Sequence, residues 1–309
     1  MLNYISTLPA AVVIGLIWSI MALGVFITYK VLDIPDLTVD GSFVTGAAVC
    51  ALIIYHGGPF YLGLIMGTIA GAMCGLITGL LHTFLGIPPI LAGILTQLAL
   101  YSINLKLLGG TSLGIPPISF KLFMTRWNVV DALWKISLIV SLLVVVFYIF
   151  FGTQLGASIR ATGNNPRMSC AQGINTKFNI VLGLMLSNAL VALSGALLAQ
   201  YKGAANIADG RGAIVIGLCS VVIGGAITKH ISPNFLVRMV GVVLGSVIYQ
   251  VIFQSVVSIK IGDFKFDTDL LKMFSAFMVA IFLGGPYLYQ KYLSKHFHKK
   301  KKASQEASL

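Results

Sequence analysis

VLDIPDLTVDG, residues 31–41, holds three of the chain's nine acidic residues: Asp33, Asp36 and Asp40. Residues 1–29 before it and 41–105 after it contain no Asp, Glu, Lys or Arg. Three carboxylates between two long apolar runs have two readings. They form a solvated turn between membrane spans, or they form a polar site where a solute or ion passes.

The flanks decide the fold class. The chain is 57% hydrophobic and 10% charged, with a mean hydropathy of +0.93, whereas a soluble domain carries about 25% charged residues. A water-soluble enzyme is excluded. An outer-membrane barrel would show alternating segments of ~10 residues, and none is seen. The expectation is an all-α integral membrane protein.

Uncharged intervals long enough for the ~20 apolar residues of a span place the helices at 9–28, 42–55, 60–81, 89–105, 136–159, 178–201, 212–228, 239–259 and 273–290. That makes about nine spans by length. The first lacks a basic leader and a small-residue exit, so it reads as a retained helix. A transmembrane domain is expected over 1–294, with a polar loop at 153–178 and a basic tail at 295–309. Cys50, Cys74, Cys170 and Cys219 show neither metal-ligand nor disulfide spacing and read as buried small apolar residues. No metal site is expected.

Lys and Arg near span ends set orientation. The tail KYLSKHFHKKKK puts the C-terminus in the cytoplasm. The loop with Arg160, Arg167 and Lys177 is then also cytoplasmic, and the N-terminus is outside. Lys106, Lys121 and Arg126 fall on the outer side and fit this less well.

Two stretches resemble each other: YKVLDIPDLTVDGSFVTG from Tyr29 and YKGAANIADGRGAIVIG from Tyr201. Both leave a span at Tyr-Lys, reach Asp-Gly, and enter an apolar run. In the expected topology they start on opposite sides. Spans 1–4 and 6–9 therefore read as inverted-topology repeats, an arrangement frequent in transporters. Gly63, Gly67, Gly71, Gly75 and Gly79 form a stripe for close helix packing.

Span 2 is short, with 14 residues or ~21 Å, against a hydrocarbon core of ~30 Å. Residues 31–41 would make up the length as non-helical chain, giving one broken helix. Pro35 excludes regular helix there. Thr38, Asp40 or Ser42 would cap the half-helix. Its N-terminus favours an anion, and Asp36 or Asp40 would hold a cation, a pairing suited to a zwitterion. Asp209 and Arg211 in the second repeat have the same two readings. The candidate pathway residues are Asp36, Thr38, Asp40, Gly41 and Ser42, with the in-span amides Gln97, Asn104 and Asn188.

In TQLGASIRATGNNPRMSCAQGINTKF, two pieces have helical potential, 154–161 and 166–172. Asn164 or Asn165 caps the second, Pro166 opens it and Gly173 stops it. Arg160, Ala161, Gly163, Asn165, Pro166, Ala171, Gly173 and Ile174 resemble the loop of ABC-importer permeases of the branched-chain amino acid and ribose type. VLDIPDLTVDGSF, ILAGILTQLALYSINL and SNALVALSGALLAQY are similar to an aromatic amino acid (tryptophan/tyrosine) subgroup. The resemblance implies a permease dimer and a cytoplasmic coupling helix at Arg160, Ala161, Gly163, Asn164, Asn165, Pro166, Arg167, Ala171, Gly173 and Ile174. It also implies two separate ATPase subunits carrying ATP and Mg, and an extracellular solute-binding (lipo)protein. The chain has no G-x-x-x-x-G-K-[ST] phosphate loop, so it is expected to be no enzyme and to hold no cofactor. A sugar, nucleoside or peptide substrate stays open, as does a gradient-driven transporter. An intramembrane enzyme finds no catalytic cluster to support it.

Overall fold

Twenty-nine uncharged residues leave a chain in lipid one way to satisfy its backbone locally, the helix. The first helix, α1 (Leu2–Phe26), runs into a π-helical turn at Ile27–Val31. That turn is closed by Leu32 N–H to Ile27 O at 3.0 Å and Ile34 N–H to Thr28 O at 2.9 Å. Asp33 then takes a left-handed φ of 56° and Pro35 keeps the chain from resuming a helix. Helix returns as α2 (Val39–Tyr55), followed by α3 (Phe60–Thr83) and α4 (Pro89–Leu108). Next come β1 (Ser112–Gly114), α5 (Val129–Gly152), α6 (Gln154–Asn164), α7 (Pro166–Ala171) and α8 (Thr176–Lys202). β2 (Ala204–Asn206), a 3-10 turn at Ile207–Gly210, α9 (Ala213–Thr228) and α10 (Phe235–Ser258) complete the order. β1 and β2 pair antiparallel, with Leu113 opposite Ala205.

This computed structural model describes residues 2–116, 120–229 and 234–258, with Phe277 and Ala280. Residues up to Ser258 form one unit; Phe277 and Ala280, both helical, belong to another. Apart from those two residues, the expected ninth span at 273–290 lies outside the described residues, as does the tail at 295–309.

Among the described residues, seven helices are long and apolar enough to cross a membrane, and α2 is a shorter apolar helix of 17 residues. The chain is an all-α, multi-pass membrane protein. Each expected span before residue 260 has its helix. The fifth is displaced: α5 begins at Val129 rather than after Lys135. The helix tolerates Asp131 and Lys135 because they pair across one turn, at 2.7 Å. Of the cysteines, Cys50, Cys74 and Cys219 are buried as expected, but Cys170 is exposed, because α7 lies outside the bundle.

α1 packs on α8, α9 and α10; α8 packs on α1, α2 and α3; α2 packs on α3, and α9 on α10. Exchanging α1 with α8, α2 with α9 and α3 with α10 leaves this pattern unchanged. That is the packing inverted repeats produce. The middle of the bundle is α1, 72% buried, and α8, 61% buried, while α4 and α5 are peripheral at 28% and 22%. The glycine stripe of α3 faces Cys50 of α2 and then Gly46, before crossing onto α8 at Asn188, Leu184 and Val181. A Cβ on Gly79 would lie 3.0 Å from the Val181 Cα, so the stripe serves close packing.

Alternation of the spans is visible in cross-contacts. At one end Gly163 meets Val31, the Lys177 Nζ sits 5.6 Å over the Phe84 ring, and the Arg160 guanidinium sits 5.8 Å over the Phe235 ring. At the other end lie the β1–β2 pair and the Lys202–Asp209 ion pair at 2.8 Å.

Candidate functional site

The eight candidate pathway residues divide into two groups. The first is a closed polar brace. Asp36 is 3% exposed; its Oδ1 accepts from the Thr38 N–H at 2.9 Å and its Oδ2 from the Asn188 Nδ2 at 2.7 Å. Asn188, fully buried and halfway along α8, accepts at Oδ1 from the Ser42 hydroxyl at 2.7 Å. The Thr38 hydroxyl bonds that of Thr78 at 2.7 Å; Thr78 donates to Thr96 at 3.0 Å, and Thr96 to the Ala92 carbonyl at 3.0 Å. This brace ties the start of α2 to α3, α4 and α8. Buried polar groups in lipid need such partners.

The brace corrects the expected cap. Neither Thr38, Asp40 nor Ser42 caps α2 with its side chain: Thr38 is the N-cap and makes no side-chain cap bond. Asp36 does the work from two residues upstream by accepting the Thr38 N–H. Asp40 instead caps the other repeat. Its Oδ2 accepts from the Gly212 N–H at 3.0 Å and its Oδ1 from the Ile214 N–H at 2.9 Å, at the start of α9. The two half-helix N-termini thus converge, and each carries about half a positive charge. One carboxylate lies between them. The close approach needs glycine, since a Cβ on Gly210 would strike the Asp40 carbonyl.

The second group lines a small pocket of about 140 Å³. Asp40, Gly41, Gln97 and Asn104 form it with Leu98, Tyr101 and Arg211. The Asn104 Nδ2 donates to the Gly41 carbonyl at 3.2 Å, while its Oδ1, buried with the side chain, has no partner. Arg211 is exposed. Asp209, given the same two readings as Arg211, does not line the pocket but pairs with Lys202 at 2.8 Å.

Sequence reasoning missed Thr78 and Thr96. A threonine in a span ordinarily bonds back to the carbonyl four residues earlier; both lie within reach of that carbonyl here, so neither announces an external partner.

The polar loop folds into an elbow of α6 and α7. Asn165 caps α7 by accepting the Met168 N–H at 3.1 Å, with Pro166 first in the helix. Gly173, at φ 80°, ends the turn. Arg160, Asn164, Asn165, Pro166, Arg167, Ala171 and Gly173 are exposed, and Ala161, Gly163 and Ile174 are half-buried. A Cβ on Gly163 would strike the Val31 carbonyl and lie 2.7 Å from the Leu32 Cα, so α6 packs against this backbone with only a glycine between. The exposed elbow therefore rests directly on the backbone that leads into Asp33 and Asp36. Asn179 of α8 holds the inner face of α6, donating to the Thr162 hydroxyl at 2.9 Å.

Interrupted helices meeting around a half-buried carboxylate, in a bundle of repeated design, are an arrangement frequent in membrane transporters. The family described as branched-chain amino acid transport system, permease component, matches residues 8–284, and the chain belongs to it. It is 37% identical to the tyrosine transport system permease protein of Clostridioides difficile over 276 residues, covering 87% of this chain and 88% of that one. It is 27% identical to the D-allose transport system permease protein of Escherichia coli over 209 residues, 67% of this chain and 63% of the relative. It is 25% identical to a probable branched-chain amino acid transport permease of Methanocaldococcus jannaschii over 243 residues, 73% of this chain and 75% of the relative. No solved structure matches the chain. Family membership makes it the permease component of an ABC-type transport system, working with partner subunits.

Proposed function

We propose that this chain is the membrane-spanning subunit of an ABC importer for aromatic amino acids, tyrosine or tryptophan. A separate pair of ATPase subunits, binding ATP and Mg, drives it; a second permease copy completes it; an extracellular solute-binding (lipo)protein feeds it. It works in a bacterial cell membrane with its C-terminus in the cytoplasm. The observation that carries this reading is the elbow. An exposed pair of short helices, α6 and α7, bears on the backbone at Val31 and Leu32 through Gly163. A push on the elbow reaches the broken segment without passing through a flexible linker. Asp40, Gly41, Gln97 and Asn104 line the route, and Asp36, Thr38, Ser42 and Asn188 hold the α2 entrance in shape.

The tyrosine-system relative, at 37% identity over 87% of the chain, favours an aromatic substrate over the sugar named for the relative at 27%. The docking role is tested by Asn165→Asp with Arg167→Glu. Asn165→Asp retains the cap oxygen, so α7 stays folded, while two exposed groups change charge. The pair is expected to lower ATPase co-purification about tenfold or more, a loss of ~1.4 kcal/mol of binding, with the thermal unfolding midpoint unchanged. Undiminished co-purification would refute the docking role.

A further inference from the structure

Three cations, Lys30, Arg160 and Arg238, line a cavity of about 600 Å³ at the elbow end of the bundle. Its walls include the aromatic rings of Phe26, Tyr29 and Phe235, and among the described residues its one acid is Asp33. Lys30, Arg238 and Phe26 also border a neighbouring cavity of about 450 Å³, which adds Lys229 and an apolar side of Val221, Gly225 and Val242.

The bias of basic residues toward one membrane face explains why cations lie at this end. It does not explain their convergence around a concavity. The ion pairs among the described residues, Lys135–Asp131 and Lys202–Asp209, are both elsewhere. Arg160 lies over the Phe235 ring at 5.8 Å, a contact that orients the guanidinium and leaves its charge in place. Lys30 comes from the π-turn after α1, Arg160 from α6 and Arg238 from α10, so the cluster forms only when three elements meet. Among the described residues, four cations face one carboxylate across the two cavities, and an anion bound there would relieve their mutual repulsion. Basic pockets between helices at a membrane face are suited to phosphate head groups, and guanidinium groups grip phosphate by paired hydrogen bonds.

We propose that this cleft binds a phosphate-bearing anion among Lys30, Arg160 and Arg238. The apolar second cavity favours an anionic phospholipid as its source, with an acyl chain along Val221 and Val242. A concave site of this size suits a head group better than the convex surface of a protein partner. Bound there, the lipid would tie α10 to the turn after α1 and to α6.

The test uses the full chain in neutral detergent. The thermal unfolding midpoint is followed during titration with phosphatidylglycerol, with phosphatidylcholine, and with inorganic phosphate. Phosphatidylglycerol is expected to raise the midpoint saturably and phosphatidylcholine to leave it unmoved. The K30Q/R238Q variant should need about fivefold more phosphatidylglycerol, or beyond, for the same rise. K177Q, which removes a cation at the same end but outside the cleft, should titrate as the parent does. If inorganic phosphate alone gives the same protection and K30Q/R238Q loses it, the anion site is supported and the lipid source is overturned. Equal protection of parent and K30Q/R238Q, or no protection by any phosphate compound, overturns the proposal.

Discussion

Asn188→Asp is expected to lower the thermal unfolding midpoint by roughly 5–10 °C and to cut amino-acid uptake more than about tenfold. The substitution is nearly isosteric, so packing is not the cause. It replaces the amide that donates to the Asp36 Oδ2 at 2.7 Å with a second carboxylate. Two buried carboxylates in contact cannot both be ionised, and breaking a buried charge's hydrogen bonding costs about 3 kcal/mol. The exchange Asp36→Asn with Asn188→Asp should restore most of the loss. The amide introduced at position 36 would still accept the Thr38 N–H and would donate to the carboxylate introduced at position 188. The Ser42 hydroxyl would find a carboxylate in place of the amide oxygen. If the double variant is no better than the single, Asp36 and Asn188 do not act as a donor–acceptor pair.

Gly163→Leu should impair transport strongly while leaving the bundle folded. The side chain has no space between α6 and the Val31–Leu32 backbone. Overpacking of this kind costs about 1–3 kcal/mol, and the cheapest relief is for the elbow to lift from the end of α1. Uptake should then fall about tenfold or more, with ATPase co-purification retained and the unfolding midpoint lowered by only a few degrees. Gly152→Leu, at the end of α5 where a Cβ meets nothing within 4 Å, should leave both unchanged. Normal uptake by Gly163→Leu would mean that the elbow does not drive the broken segment through this contact.

What could be read in advance follows from the range of each interaction. Spans are set by length and the absence of charge, and the elbow by capping residues within a few positions of each other, so both were legible. The α5 start was misplaced because a charge count cannot see that Asp131 and Lys135 neutralise each other across one helical turn. The roles of Asp36 and Asp40 lay beyond sequence reasoning. They stand one helical turn apart and look alike, yet the first answers to Asn188 and the second to Gly212 and Ile214. Only the crossing of the repeats decides which carboxylate braces α2 and which caps α9. The similarity of the two Asp-Gly stretches did foreshadow that crossing. The convergence of Lys30, Arg160 and Arg238 was hidden because it joins three separate elements.

ATP-driven uptake of an aromatic amino acid through this chain is the proposed activity. It is tested most directly by following labelled tyrosine and tryptophan into cells that express the permease with its partner subunits, while the membrane gradient and ATP are removed separately. Uptake should survive a protonophore as long as ATP is maintained, and should stop when ATP is depleted or when this chain is deleted. Uptake that stops with the protonophore while ATP is intact, or that persists without ATP, would contradict the claim and point to a gradient-driven carrier.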